Sequence, residues 1–173
     1  MCRLYSHTPN AQGKWHDLVP HLLTVAECAA AFARPFAGEA HAAWAGLLHD
    51  LGKFNPSFQD YLWSQYRGGN YSRVPHAVWG AAMVYQLLFK IAGDPESWKD
   101  VALPVYGHHA GLVAAGHLAQ DLENFLQENP ASLSIMKEAL VSLPKPPPLL
   151  PSPIMGTSRE LFIRMIFSAL VDA

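Results

Sequence analysis

Apolar residues recur at three- and four-residue steps along most of the chain, and the runs between breaks have helical length. In residues 17–36, Leu18, His21, Leu22, Val25, Ala29 and Phe32 share one face, with Pro20 in the first turn, where a missing N–H is tolerated. Gly38 separates a second helix over 39–51, rich in Ala and Leu. Asn55-Pro56 joins a favoured N-cap to a favoured first helical residue, so 57–66 is predicted as a third helix with Phe58, Tyr61, Leu62 and Tyr66 as its stripe. Pro75 opens a fourth from His76 to about Ala92, closed by Gly93, with Val78, Ala81, Ala82, Tyr85, Leu88 and Phe89 on its core face.

Asp94-Pro95 repeats the capping signal for a helix from Glu96 that Pro104 is expected to end or kink. Helices are also predicted over 118–128 and 130–143, and a last one starts at a capping box from Thr157 to Glu160 and reaches Asp172. Between them Lys145-Pro146-Pro147-Pro148, with Pro151 and Pro153, reads as a stiff connector within one domain, because the segment after it is too short to fold alone. No internal repeat and no convincing strand pair is visible. The expectation is an all-α fold, a single domain over residues 1–173.

Half of the 173 residues are hydrophobic, which supplies a core and argues against disorder. The formal charge is −2 and the twelve Lys and Arg are scattered, which excludes a strongly basic nucleic-acid-binding surface. Any affinity for a polynucleotide must then be local or borrowed from a partner. Cys2 and Cys28 form no disulfide or zinc framework, the first residues lack the apolar core of a signal peptide, and no apolar run is long enough to span a membrane. A cytoplasmic protein with no membrane partner is the expectation.

Nine histidines change the picture, because imidazole is the commonest metal ligand. In Gly46-Leu47-Leu48-His49-Asp50-Leu51-Gly52-Lys53-Phe54, apolar neighbours seat a His-Asp pair in the core. A buried carboxylate needs a charge partner there, and a divalent cation is the simplest. An isolated His-Asp pair fits equally well a core histidine oriented by its neighbour. Gly52 reads as a helix end, placing Lys53 one step from a bound phosphate, with a solvated surface position as the alternative. His21, on an apolar helix face, is either a hydrogen-bonded core residue or a ligand. His76 at a helix start is disfavoured as a cation, so it stays in the neutral, ligating form.

His108-His109, set between glycines, suggests a shared metal role, whereas His117 begins a helix on a solvated face. His16 and His41 are expected to be exposed, and His7 to be structural. The loop holding Arg67, Tyr71 and Arg73 is a candidate for contact with a substrate backbone and bases.

Tyr5-Ser6-His7, His21-Leu22, Leu48-His49-Asp50-Leu51-Gly52-Lys53, Pro56-x-Phe58-Gln59-x-Tyr61-Leu62, His76, Gly107-His108-His109-Ala110-Gly111 and Ala169-Leu170-Val171-Asp172-Ala173 occur in that order. Together they resemble the HD superfamily of metal-dependent phosphohydrolases, and in detail the HD nuclease of type I CRISPR interference systems. The resemblance implies an HD-domain helical bundle with a metal site in its core. His21, His49, Asp50 and Asp172 would hold one divalent ion, and His76, His108 and His109 a second that Asp50 bridges. Asp50 and Lys53 would be the catalytic residues.

One or two divalent ions are implied, drawn from manganese, magnesium, nickel, cobalt, iron and zinc, and two could activate water for in-line attack on a phosphodiester. The implied partners are single-stranded DNA, a superfamily-2 helicase and the CRISPR RNA-guided surveillance complex. In the family a second acidic residue commonly comes soon after the aspartate matched by Asp172, so the domain is expected to be cut just after its last ligand motif. Two other readings compete: a small-molecule HD phosphohydrolase acting on nucleotides or cyclic nucleotides, and a scaffold whose histidines are structural.

Overall fold

Leu18, Leu22, Val25 and Ala29 line the buried side of α1 (Leu18–Ala33), which packs most extensively against α2 (Glu39–Leu48). Gly46 makes that approach possible, because a Cβ there would fall on the α1 backbone at Val25 and Ala26. The structure, a computed structural model, describes residues 3–70, 72–91, 96–149 and 157–173, the side chains at 91 and 157 excepted.

A 3-10 turn (Leu51–Phe54) comes after α2, then α3 (Pro56–Tyr66), whose N-cap Asn55 accepts a hydrogen bond from the Ser57 N–H at 3.1 Å, as Asn-Pro predicts. Next come α4 (Ala77–Val84), α5 (Ser97–Gly107), α6 (Leu118–Glu128), α7 (Pro130–Ser142) and α8 (Thr157–Val171). Helices α1, α2, α5 and α8 pack against one another, α4 lies on α5 and α6, and α7 lies on the 3-10 turn. Leu18, Leu22, Leu48, Leu51, Met83, Trp98, Met136 and Ile166 belong to one contiguous buried cluster. Among the described residues no helix is long and apolar enough to cross a membrane. The all-α expectation holds.

Four local expectations are corrected. A small antiparallel ribbon joins β1 (Tyr5–His7) to β2 (His16–Asp17), and runs of three and two residues are too short to show alternation in a sequence. The fourth helix changes to a π-helical turn over Tyr85–Ile91. Helix α5 continues through Pro104, because burial of Val101 to Val105 offsets the lost backbone bond. His41 is buried, its ring centroid 5.1 Å from that of Phe162 on α8.

The connector lies against α2, with the Trp44 Nε1–H donating to the Pro147 carbonyl at 2.8 Å. Cys2, Asp94-Pro95, Pro151, Pro153 and the Thr157 side chain of the expected capping box lie outside the described residues.

Candidate metal centre

Helix α2 ends at Leu48, and Asp50 (φ −109°, ψ 17°) turns the chain into the 3-10 turn. Burial of Leu47, Leu48 and Leu51 draws the two polar residues between them inward, leaving His49 at 7% and Asp50 at 2% exposure. Around the Asp50 carboxylate, elements distant in sequence meet. Oδ2 lies 3.2 Å from Nε2 of His21 in the first turns of α1, 3.2 Å from Nε2 of His49 and 2.6 Å from Nζ of Lys53. Oδ1 lies 3.2 Å from Nε2 of His76, at the start of α4, and 3.7 Å from Nε2 of His108, at the end of α5. His109 completes the arrangement, its Nε2 2.7 Å from that of His76.

Backbone carbonyls only accept hydrogen bonds, and this fixes two tautomers. The Nδ1–H of His49 donates to the Gly46 carbonyl and that of His108 to the Val105 carbonyl, each at 2.7 Å. In the neutral rings, Nε2 then carries a lone pair directed at the carboxylate, the outer-sphere arrangement usual for metal-binding histidines. Burial, foremost, lowers the His49 pKa. Burial also lowers His109 to about 4, assisted by His108 and His76, and lowers His7 to about 4, assisted by Lys53 and His21. Burial pushes the Asp50 carboxyl up, but hydrogen bonding outweighs it, with His21 Nε2 lying 3.2 Å from Oδ2, and holds the group well below the usual carboxylate range.

The donor set fits divalent cations. Asp50 Oδ1 and His108 Nε2 are buried, face each other and make no hydrogen bond. Lone pairs so opposed repel unless a cation lies among them. Two groups have ligand atoms within 4.8 Å of one another: Asp50, His76, His108 and His109, and His21, His49 and Asp50. Asp50 belongs to both. Imidazole with one carboxylate suits borderline first-row metals.

The surroundings hold this centre in place. Gly52 abuts the His76 backbone, where a Cβ would collide, and the Phe58 ring lies 4.9 Å from the His76 ring. Lys53 is buried, which excludes the solvated surface position; its Nζ also donates to the Ser6 carbonyl at 2.9 Å. The Gln59 amide ties β1 to the 3-10 turn, donating to the carbonyls of Tyr5 and Lys53 and accepting from the Tyr5 N–H. Sequence reasoning gave Gln59 no separate role; its place in Pro56-x-Phe58-Gln59-x-Tyr61-Leu62 was the available signal.

The structure does not bring Asp172 into the centre. Its side chain is exposed at the end of α8, 3.4 Å from the Ser168 hydroxyl, in a groove shared with Phe32 and Pro35 at the far end of α1. Phe32 is eleven residues along α1 from His21, about 16 Å at the helical rise. His7, expected to be structural, reaches the rim of the centre, 5.0 Å from the His21 ring centroid, while His16 and His117 are exposed as expected. The Arg67 guanidinium stands 5.6 Å over the Trp63 ring and Arg73 is exposed; Tyr71 lies outside the described residues.

A family model described as Cas3, HD domain matches residues 6–143, a span that contains every residue of both ligand groups and ends before α8. No curated protein matches the sequence significantly.

Proposed function

This chain belongs to the Cas3 HD-domain family of CRISPR-associated nucleases, and on that premise we propose that it hydrolyses phosphodiester bonds of single-stranded DNA at the Asp50 centre. One observation carries the reading: the two oxygens of a single buried carboxylate each meet a separate set of imidazole nitrogens. His21 and His49 would hold one divalent ion and His76, His108 and His109 the other, with Asp50 serving both.

Bound divalent ions supply the Lewis acidity that phosphodiester hydrolysis needs near neutral pH. The chain's own residues prepare for that chemistry. The Gly46 and Val105 carbonyls fix the tautomers of His49 and His108, and burial lowers the His49 pKa, so its Nε2 lone pair stays free for ligation. Lys53 acts as a positioning residue, neutralising and orienting Asp50 while it pins β1 through Ser6. Arg67 and Arg73, on the loop after α3, would contact the strand.

A formal charge of −2 gives little unaided capture of a polyanion. That supports delivery of the strand by a superfamily-2 helicase, after a CRISPR RNA-guided surveillance complex has exposed it.

The test is incubation of the chain with circular single-stranded DNA in manganese or in excess chelator, with Asp50→Ala alongside. Metal-dependent opening of the circle, lost in the variant, supports the proposal. Turnover of mononucleotides or cyclic nucleotides with DNA left intact, circular or linear, would instead support a small-molecule phosphohydrolase.

A further inference from the structure

Four aromatic rings gather where the ribbon of β1 and β2 meets α3. Between ring centroids, Trp15 lies 4.6 Å from Tyr5, 4.5 Å from Trp63 and 5.4 Å from Tyr66, and Trp63 lies 6.2 Å from Tyr66. None of the four belongs to the hydrophobic core cluster. A cluster serving only to fasten the ribbon would be covered, yet Tyr66 is 56% and Trp63 37% exposed.

Cations border the rings. The Arg67 guanidinium stands 5.6 Å over Trp63, and Lys14 lines, with Trp15, His16 and Asp17, a groove of about 340 Å³ that reaches the ligand His21. The carboxylates of Asp17 and Asp60 border the same surface, so phosphate attraction is partly cancelled and the ring faces must carry the affinity. The route to the metal centre is short. Tyr5 and His7 flank Ser6, Tyr5 touching Trp15 and His7 touching His21. The two are at most about 7 Å apart along the chain, on the order of two nucleotides at ~3.4 Å each in a stacked strand.

We propose that Trp15, Trp63 and Tyr66, with Arg67, form a stacking platform for the unpaired bases of a single nucleic-acid strand entering the metal centre. This rests on the nuclease reading and deepens it. Every base offers a π face, so such a platform is indifferent to sequence, and each stacked base is worth about 5- to 150-fold in affinity. Bases in a duplex already stack on their neighbours, so the platform selects unpaired strands without a basic surface.

The test is equilibrium binding to the full chain in excess chelator, where no cleavage intervenes, comparing a twelve-nucleotide thymidine strand with an abasic strand of equal length. Intrinsic tryptophan fluorescence and strand anisotropy are the readouts. The thymidine strand is expected to bind at least ~10-fold more tightly and to quench tryptophan. Tyr66→Ala should remove much of that preference and Tyr66→Phe, which keeps the ring face, should retain it, with thermal melts showing both variants folded. Equal affinity of the wild-type chain for the two strands overturns the platform, as does a Tyr66→Ala variant that weakens both strands by one factor.

The outcomes separate the two proposals. A chain that prefers bases but cuts no DNA in manganese keeps the platform and refutes the nuclease, and one that cuts with no preference for bases does the reverse.

Discussion

The Nζ of Lys53 lies 2.6 Å from Oδ2 of Asp50, with side-chain exposures of only 6% and 3%. Lys53 is thus a cation built into the fold that compensates a buried carboxylate when the surrounding imidazoles are neutral. Lys53→Met removes that compensation and leaves the anion dependent on bound metal. Breaking a buried pair costs about 3–5 kcal/mol, so the variant in chelator should melt well below the wild-type chain. Adding manganese should raise its Tm by more than it raises that of the wild type, because the ion then supplies the missing charge. Equal metal-induced shifts in the two would show that Lys53 does not carry this role.

Asp50 appears in both ligand groups, whereas His76 appears in one. Asp50→Ala should therefore weaken both ions and His76→Ala only one. The loss of hydrolysis in Asp50→Ala should exceed the ~10–100-fold typical of losing an outer-sphere partner and exceed that of His76→Ala. Metal content per chain, measured by mass spectrometry, should fall further in Asp50→Ala. Equal residual activity and equal metal content would refute the bridging assignment.

The metal-free chain should lose stability in mild acid. His7 and His109 have pKa values lowered from 6.5 to about 4, and His49 is lowered as well. Between about pH 6.5 and 4 the unfolded chain therefore binds more protons than the folded one, and stability rises with pH across that window. Asp50, held well below the usual carboxylate range, stabilises above its unfolded pKa of 3.8, and that contribution is lost only as pH falls through its lower folded value. His7 and His109 are partly exposed, so the slope is reduced by solvent screening. Melting in chelator from pH 7.5 to 4.5 should show Tm falling from about 6.5 downward; a constant Tm over that range would contradict the assigned neutral histidines.

Much of this was legible in the sequence, because local signals determine it. Asn55-Pro56 marks the start of α3 and His49-Asp50 the pivot of the centre, and the family resemblance carried by the ordered motifs implied the convergence of the remaining histidines. What was not legible has physical causes. Lys53 carries no local sign that its ammonium turns inward, since the partner that draws it there is fixed by the turn after α2.

His41 was readable. It precedes Ala45 and Leu48 by four and seven residues and so falls on the buried stripe of α2. Asp172 was readable too: at about 100° per residue it lies well off the stripe of Phe162, Ile166, Ala169 and Leu170. The aromatic cluster escaped notice because Tyr5, Trp15 and Trp63 are far apart in sequence and are joined by a ribbon too short to announce itself.

Gly52 offers a way to disable one half of the centre from a position that ligates nothing. A Cβ there would fall on the Cα, C and O atoms of His76. Backbone cannot swing aside as a side chain can, so Gly52→Ala must shift the start of α4 or the 3-10 turn, at an overpacking cost of about 1–3 kcal/mol. His76 would move with its backbone, and the group it shares with His108 and His109 would lose its geometry, while His21 and His49 approach Asp50 from α1 and the end of α2. The variant should fold with a lowered Tm, and titration calorimetry should show one metal-binding event weakened and another kept. Gly116→Ala is the control, since nothing lies within 4 Å of a Cβ at that position. If Gly52→Ala binds metal and melts as the wild-type chain does, the close approach of the turn to His76 does not set the geometry of the centre.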